Sequence, residues 1–108
     1  MNSRCAASQE QAPRELVRLR EAIDRVDEVL VRLLNQRARY AIEIGQIKGL
    51  LQVPVYSPDR EKQVLCNVEQ WSEGPLDAVT VRRLFERIID ESRRVEREAT
   101  RQRDASSG

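Results

Sequence analysis

Five polar residues fall where the helical register of this chain expects apolar side chains: Arg37, Lys48, Arg60, Ser92 and Glu96. A sixth, Arg20, lies one position beyond Leu19 at the edge of the same register. Arg37 is the most informative of them. Its helical neighbours one turn away are Leu33, Leu34, Tyr40 and Ala41, so no local carboxylate is available to it. Lys48 follows eleven residues later, close to three full turns and on nearly the same face, and its neighbours Ile44, Gly45, Leu51 and Gln52 are also uncharged. A cation turned toward a core is costly unless an anion meets it. Cations outnumber carboxylates in this set, so its natural complement is a small polyanion. Arginine suits carboxylates because its planar fork binds them through two parallel bonds, and lysine supplies a compact charge that can be aimed at one oxygen.

Each residue also has a plainer reading. A single arginine in a heptad seam often serves as a register device. Lys48 could snorkel to solvent, Arg20 could pair with Asp24, and Arg60 with Asp59 or Glu61. Glu96 near Arg93 could be a solvated carboxylate, and Ser92 a tolerated small residue. The functional reading gains because every apolar face carries at least one such exception.

The elements that must carry these residues are helices. Leu16, Ile23, Leu30, Arg37, Ile44 and Leu51 recur every seven residues, with Leu19, Val26, Leu33, Tyr40 and Ile47 as the companion row. This a/d pattern over five heptads predicts one long helix from about Arg14 to Leu51, entered at Pro13. Most of its outward cations have a carboxylate one turn away, as in Arg18 with Glu21, Arg32 with Glu28 and Arg39 with Glu43. Gly45 and Gly49 weaken the last turns by about 1 kcal/mol each relative to alanine, and leave room for close approach of another backbone or a ligand. Gln52 to Tyr56, with Pro54, reads as a loop. Ser57-Pro58 then reads as a cap with proline in the first turn of a second helix that runs to about Ser72. Its apolar face is Val64, Leu65, Val68 and Trp71. Gly74-Pro75 breaks the chain, and Asp77 caps a third helix to about Gln102 with a stripe through Val81, Leu84, Phe85, Ile88, Ser92, Glu96 and Ala99. Residues 1–12 read as a disordered lead, 13–103 as one helical domain and 104–108 as a disordered tail.

Composition narrows the function class. The 108 residues suit one small domain, and 34% charged against 4% aromatic suits helices with solvated outer faces. Nineteen basic and 18 acidic residues leave a net charge of +1, which gives no electrostatic argument for nucleic acid or an anionic membrane. With no histidine, histidine metal sites and histidine bases are excluded. Cys5 and Cys66 are isolated, which fits neither a zinc site nor a disulfide framework and points to a reducing cytoplasm. No apolar run approaches membrane-spanning length.

Length predicts the assembly. A 38-residue helix spans about 57 Å, whereas a compact chain of this size has a radius of gyration of about 13 Å. Two shorter companions cannot cover such a helix, so the expected form is an all-α, three-helix protomer in an intertwined homodimer.

The segments Leu19-Arg20-Glu21-x-Ile23-Asp24, Leu33-Leu34-x-x-Arg37 and Glu43-Ile44-Gly45-x-Ile47-Lys48 resemble the all-α, AroQ-type chorismate mutases. Pro54-Val55-Tyr56-x-Pro58-x-Arg60-Glu61 and Leu84-Phe85-x-x-Ile88-Ile89-x-x-Ser92-x-x-x-Glu96 continue the likeness over residues 16 to 98. The resemblance implies an interlocked dimer that converts chorismate to prephenate, on the route to phenylalanine and tyrosine, with no metal or cofactor. It implies that Arg37 and the other subunit's Arg20 hold the two substrate carboxylates, and that Lys48 reaches the ether oxygen and one carboxylate. Arg60 would support the site, Glu61 receive the ring hydroxyl, Ser92 touch the ring carboxylate and Glu96 reach the ether oxygen. The chain departs from some relatives in having Ser57 for an aspartate and Glu96 for a glutamine. A serine still accepts from a hydroxyl, but an ionised carboxylate cannot donate, so Glu96 must be protonated to act on the ether. Three alternatives stay open: an isochorismate-pyruvate lyase with the same scaffold, a non-catalytic regulatory module, and a purely structural helical dimer. The last leaves Arg37 and Lys48 unexplained.

Overall fold

The computed structural model describes residues 9–107, with side-chain surroundings for 9–102. Most of the expected lead, including Cys5, lies outside the described residues, as does Gly108. The described residues form three helices and no strand: α1 (Ala12–Leu51), α2 (Pro58–Trp71) and α3 (Ala78–Ser107). None of them is long and apolar enough to cross a membrane. The chain divides after Leu34 into two compact units.

The first unit contributes residues 12–34 of α1. The helix starts two residues earlier than the sequence suggested, and Gln11 accepts the first bond, from Glu15 N at 3.0 Å. Leu16, Leu19, Ile23, Val26, Leu30 and Leu33 of the heptad seam are all exposed, between 41% and 58%. Arg32 meets Glu28 at 2.7 Å, as its spacing predicts. Arg18 differs, because it donates twice to Glu15, at 2.9 and 3.0 Å, rather than turning toward Glu21. A carboxylate placed N-terminal to its cation, and inside the first turn, has the better orientation relative to the helix dipole.

The second unit holds the rest of α1 together with α2 and α3, and α2 packs against α3. Its buried apolar residues are Ala41, Val68 and Ile89. The expected stripe of α3 is the inward face except at Leu84, which is 53% exposed, and that face widens by one residue to include Ile89 at 7%. Trp71, expected on the core face of α2, is also exposed. Helix α3 continues to Ser107, past the expected end near Gln102. Arg101 to Ala105 holds neither glycine nor proline, and most of its residues are good helix formers.

The helix ends place the loops. Helix α1 closes with Gln52 N bonded to Gly49 O at 3.2 Å and Val53 N bonded to Lys48 O at 3.0 Å. This paired pattern is a Schellman cap, and it puts Gln52 in the left-handed region with φ 58°. Asp77 caps α3, its Oδ1 accepting from Thr80 N at 2.8 Å. The Thr80 hydroxyl and amide together hold the Asp77 carboxyl below its ordinary value. Ser57 holds the N-cap position of α2 with extended backbone and Pro58 behind it, but its hydroxyl makes no capping bond.

The strained position gives a direct test. Glycine adopts the conformation of Gln52 without steric cost, so Gln52→Gly should stabilise the protein by about 1 kcal/mol, read as a rise in urea midpoint. An unchanged or lower midpoint would show that the Gln52 side chain makes contacts worth more than the strain.

Candidate active site

Three helical faces and one loop converge on a single cavity of about 260 Å³ in the second unit. Helix α1 presents Arg37, Ala41, Ile44 and Lys48, which recur at the three- and four-residue spacing of one face. Ser57, Arg60, Glu61 and Val64 at the start of α2 repeat that spacing, as do Ile89, Ser92, Arg93 and Glu96 on α3. The apolar members of each face seat the helices, and the polar members between them point into the cavity. Arg37, Lys48, Ser57, Arg60, Glu61, Ser92 and Glu96, all singled out from sequence, are therefore brought together. Arg20 is not among the lining residues. It lies in the first unit and is exposed.

Bonds within the site hold several of these groups without neutralising them. Arg37 Nη1 donates to Ser92 Oγ at 2.7 Å, which links α1 to α3 through an uncharged acceptor. Lys48 Nζ donates to the carbonyl of Val55 at 2.8 Å, so the ammonium holds the loop that precedes α2. Arg60 turns neither to Asp59 nor to Glu61 but donates to Gln63 Oε1 at 2.7 Å. Glu61 carries an ion pair instead with Arg93, whose Nε lies 3.1 Å from Oε2.

Glu96 is buried at 8% exposure, and its Oε2 has no hydrogen-bond partner within the protein. It fits there because Gly45 faces it: a Cβ at position 45 would stand 3.4 Å from both Cγ and Oε2 of Glu96. The room left by Gly45 is thus filled by a side chain of α3. Burial raises the Glu96 carboxyl above its ordinary value, against the opposing pull of Lys48 and Arg37. Burial likewise lowers Arg37, and the charge of Arg60 lowers it further while Glu96 opposes. Desolvation is the leading cause at both residues, and it disfavours the charged form of each in a cavity rich in cations.

Sequence reasoning missed Arg93. The α3 stripe drawn through Ile88, Ser92 and Glu96 did not include it; the buried face extends one position further to Ile89, and Arg93 follows that residue at i+4. The double isoleucine Ile88-Ile89 was the available signal, since it permits the face to widen by one residue. No group of three or more acidic or cysteine side chains among the described residues is arranged to hold a metal ion.

The comparisons with known proteins agree with the geometry. The family model described as chorismate mutase type II matches residues 19–97. A bifunctional chorismate mutase/prephenate dehydratase from Neisseria gonorrhoeae is 42% identical over 85 residues, which cover 79% of this chain but only 23% of that protein. The chain thus spans less than a quarter of the length of that relative. A solved chorismate mutase from Thermus thermophilus superposes with a TM-score of 0.75 at 35% identity, covering 77% of this chain and 94% of that one. The chorismate mutase of Helicobacter pylori, solved in complex with prephenate, gives a TM-score of 0.74 at 29% identity, with 80% and 93% covered.

The raised Glu96 carboxyl fixes the sign of a pH effect on stability. A carboxyl raised in the folded state contributes stability that is complete below its unfolded pKa and is lost as pH rises through the folded value. Glu96→Gln stays neutral throughout. It should therefore gain stability relative to the wild type as pH climbs from about 4 toward 8, in a series of thermal melts. Parallel curves for the two proteins would refute the burial of an ionisable group at this position.

Proposed function

The chain belongs to the type II chorismate mutase family, and on that premise we propose that it rearranges chorismate to prephenate as a cytoplasmic homodimer, on the route to phenylalanine and tyrosine. One observation carries this reading beyond the family match. Arg37, Lys48 and Arg60 share a small cavity with a carboxyl that burial pushes toward neutrality, while the charges of Glu61 and Arg93 offset each other. Such a cavity suits a small dianion.

The reaction is a [3,3] rearrangement. One C–O bond breaks as one C–C bond forms, the electrons move around a six-membered ring, and no proton, nucleophile or leaving group is exchanged. The protein has two tasks: to hold the reactive diaxial conformer, and to stabilise the negative charge that grows on the ether oxygen. Arg37 and Arg20 of the partner subunit each take a carboxylate. Ser92 adds a contact to the ring carboxylate, and its bond to Arg37 presets the guanidinium. Lys48 reaches the ether oxygen and a carboxylate, with Val55 O fixing its ammonium. Arg60 and Ser57 support the polar wall, and Glu61 accepts from the ring hydroxyl. Glu96 in its protonated form donates to the ether oxygen, and burial raises its carboxyl, so turnover declines as pH rises through its pKa in the substrate complex.

The exposed seam of residues 16–33 supports the homodimer. Covering the half of each side chain still exposed contributes about 1 kcal/mol per residue, several kcal/mol in all. A second copy offers the same heptad pattern in return. The free, exposed thiol of Cys66 suits a reducing compartment.

Chorismate consumption, with the product identified, tests the activity. The expected product is prephenate. Release of pyruvate from isochorismate with chorismate left intact would replace this reading with a lyase, and turnover of neither would overturn it. Arg37→Ala should lose on the order of a hundredfold in turnover or more while remaining helical.

The composite site has its own test. Neither Arg20→Ala nor Arg37→Ala chains alone should turn over, but an equimolar mixture reassociated from denaturant should regain about a quarter of wild-type activity, because half the dimers are mixed and each has one intact site. No recovery on mixing would place Arg20 in its own chain's site, and an Arg20→Ala chain active alone would place it outside any site.

A further inference from the structure

Arg93 has no part in the roles assigned above, yet it joins three elements at the cavity wall. Its Nε lies 3.1 Å from Oε2 of Glu61 on α2, and its Nη2 donates to Asp90 Oδ1 at 2.7 Å on α3. The guanidinium carbon stands 5.0 Å from the centroid of the Tyr56 ring, in the loop that Lys48 holds through Val55 O. Nε makes no hydrogen bond, so the contact with Glu61 is an ion pair, while the bond from Nη2 and the Tyr56 ring hold the group on one edge and one face.

A bridge between α2 and α3 does not require this geometry. Arg82 already spans the two helices, at 3.8 Å from Glu69 and 3.7 Å from Glu86, with half its side chain in solvent. Arg93 is only 28% exposed and Glu61 24%, and both line the cavity. Glutamate has three rotatable bonds, and an untethered carboxylate in the first turn of a helix would sample several rotamers. Arg93 occupies one of its oxygens and leaves the other as an acceptor.

We infer that Arg93 is a positioning residue, which holds the Glu61 carboxylate in the one orientation that receives a ligand hydroxyl. The inference rests on the proposed reading of the cavity as a chorismate site. Arg93 touches no reacting atom in this role and acts only through Glu61.

The test is a double-mutant cycle on kcat/KM for chorismate, using Arg93→Gln, Glu61→Gln and both together, with thermal melts alongside. Arg93→Gln should lower kcat/KM on the order of tenfold, mainly through KM, and should cost nothing further once Glu61 is glutamine. Arg93→Lys keeps length and charge without the fork, so it should restore little of the loss. It carries the same comparison should Arg93→Gln fail to fold. Additive losses in the cycle, or variants that melt lower but keep their kcat/KM, would overturn the positioning role and leave the functional reading intact. A wild-type protein that turns over no chorismate would overturn that reading, and this inference with it.

Discussion

A guanidinium drawn out of water must find replacement bonds, and at Arg37 the protein supplies only part of them. Ser92 offers a neutral oxygen at 2.7 Å, while Arg60 adds a second positive charge nearby. Glu96 opposes that strain, but its own burial drives it toward the neutral form. Desolvation thus disfavours the charged form of both groups, the carboxyl as well as the guanidinium. The surplus positive potential is a property of the cavity walls themselves, and an anion that enters relieves the cost. Binding and folding are linked through this one imbalance, since whatever occupies the cavity also stabilises the packing of α1 on α3.

The loop before α2 depends on the same end of α1. Lys48 accepts Val53 N with its backbone carbonyl and donates to Val55 O with its ammonium, so one residue both ends the helix and sets the path of the chain beyond it. The left-handed Gln52 is the local cost of that turn. Ser57, freed from capping α2, faces the cavity instead. Local stability is given up at each of these points where the polar wall is built, as happens when function and propensity compete for one position.

Much of this was legible in the residues. The interrupted heptads located Arg37 and Lys48, the Ser-Pro and Gly-Pro breaks separated three helices, and Asp77 caps α3 as its residue type suggested. Other features required the fold. Periodicity fixes the width of a helical face only to within about one residue, which hid Arg93 beside Ile88, and Leu84 and Trp71 lie on faces they do not bury. The partner of Glu61 is separated from it by 32 positions, beyond the reach of any local spacing rule. Arg20 marks a different limit: its register placed it at the edge of a seam, but the lining of the cavity does not include it.

The contact between Gly45 and Glu96 ties together two positions that are 51 residues apart in the chain. A methyl group at 45 would meet Glu96 at ordinary van der Waals distance, so alanine fits there, but a branched side chain would need the volume that the carboxyl now fills. The displaced glutamate would then move into the cavity and exclude the ligand it is meant to serve. Among divergent descendants of this sequence, the two sites should change together: glycine or alanine at 45 where a long side chain occupies 96, and anything larger only where 96 has shortened. Position 45 thus acts as a record of what the opposite helix is carrying, and aligned sequences alone suffice to read it.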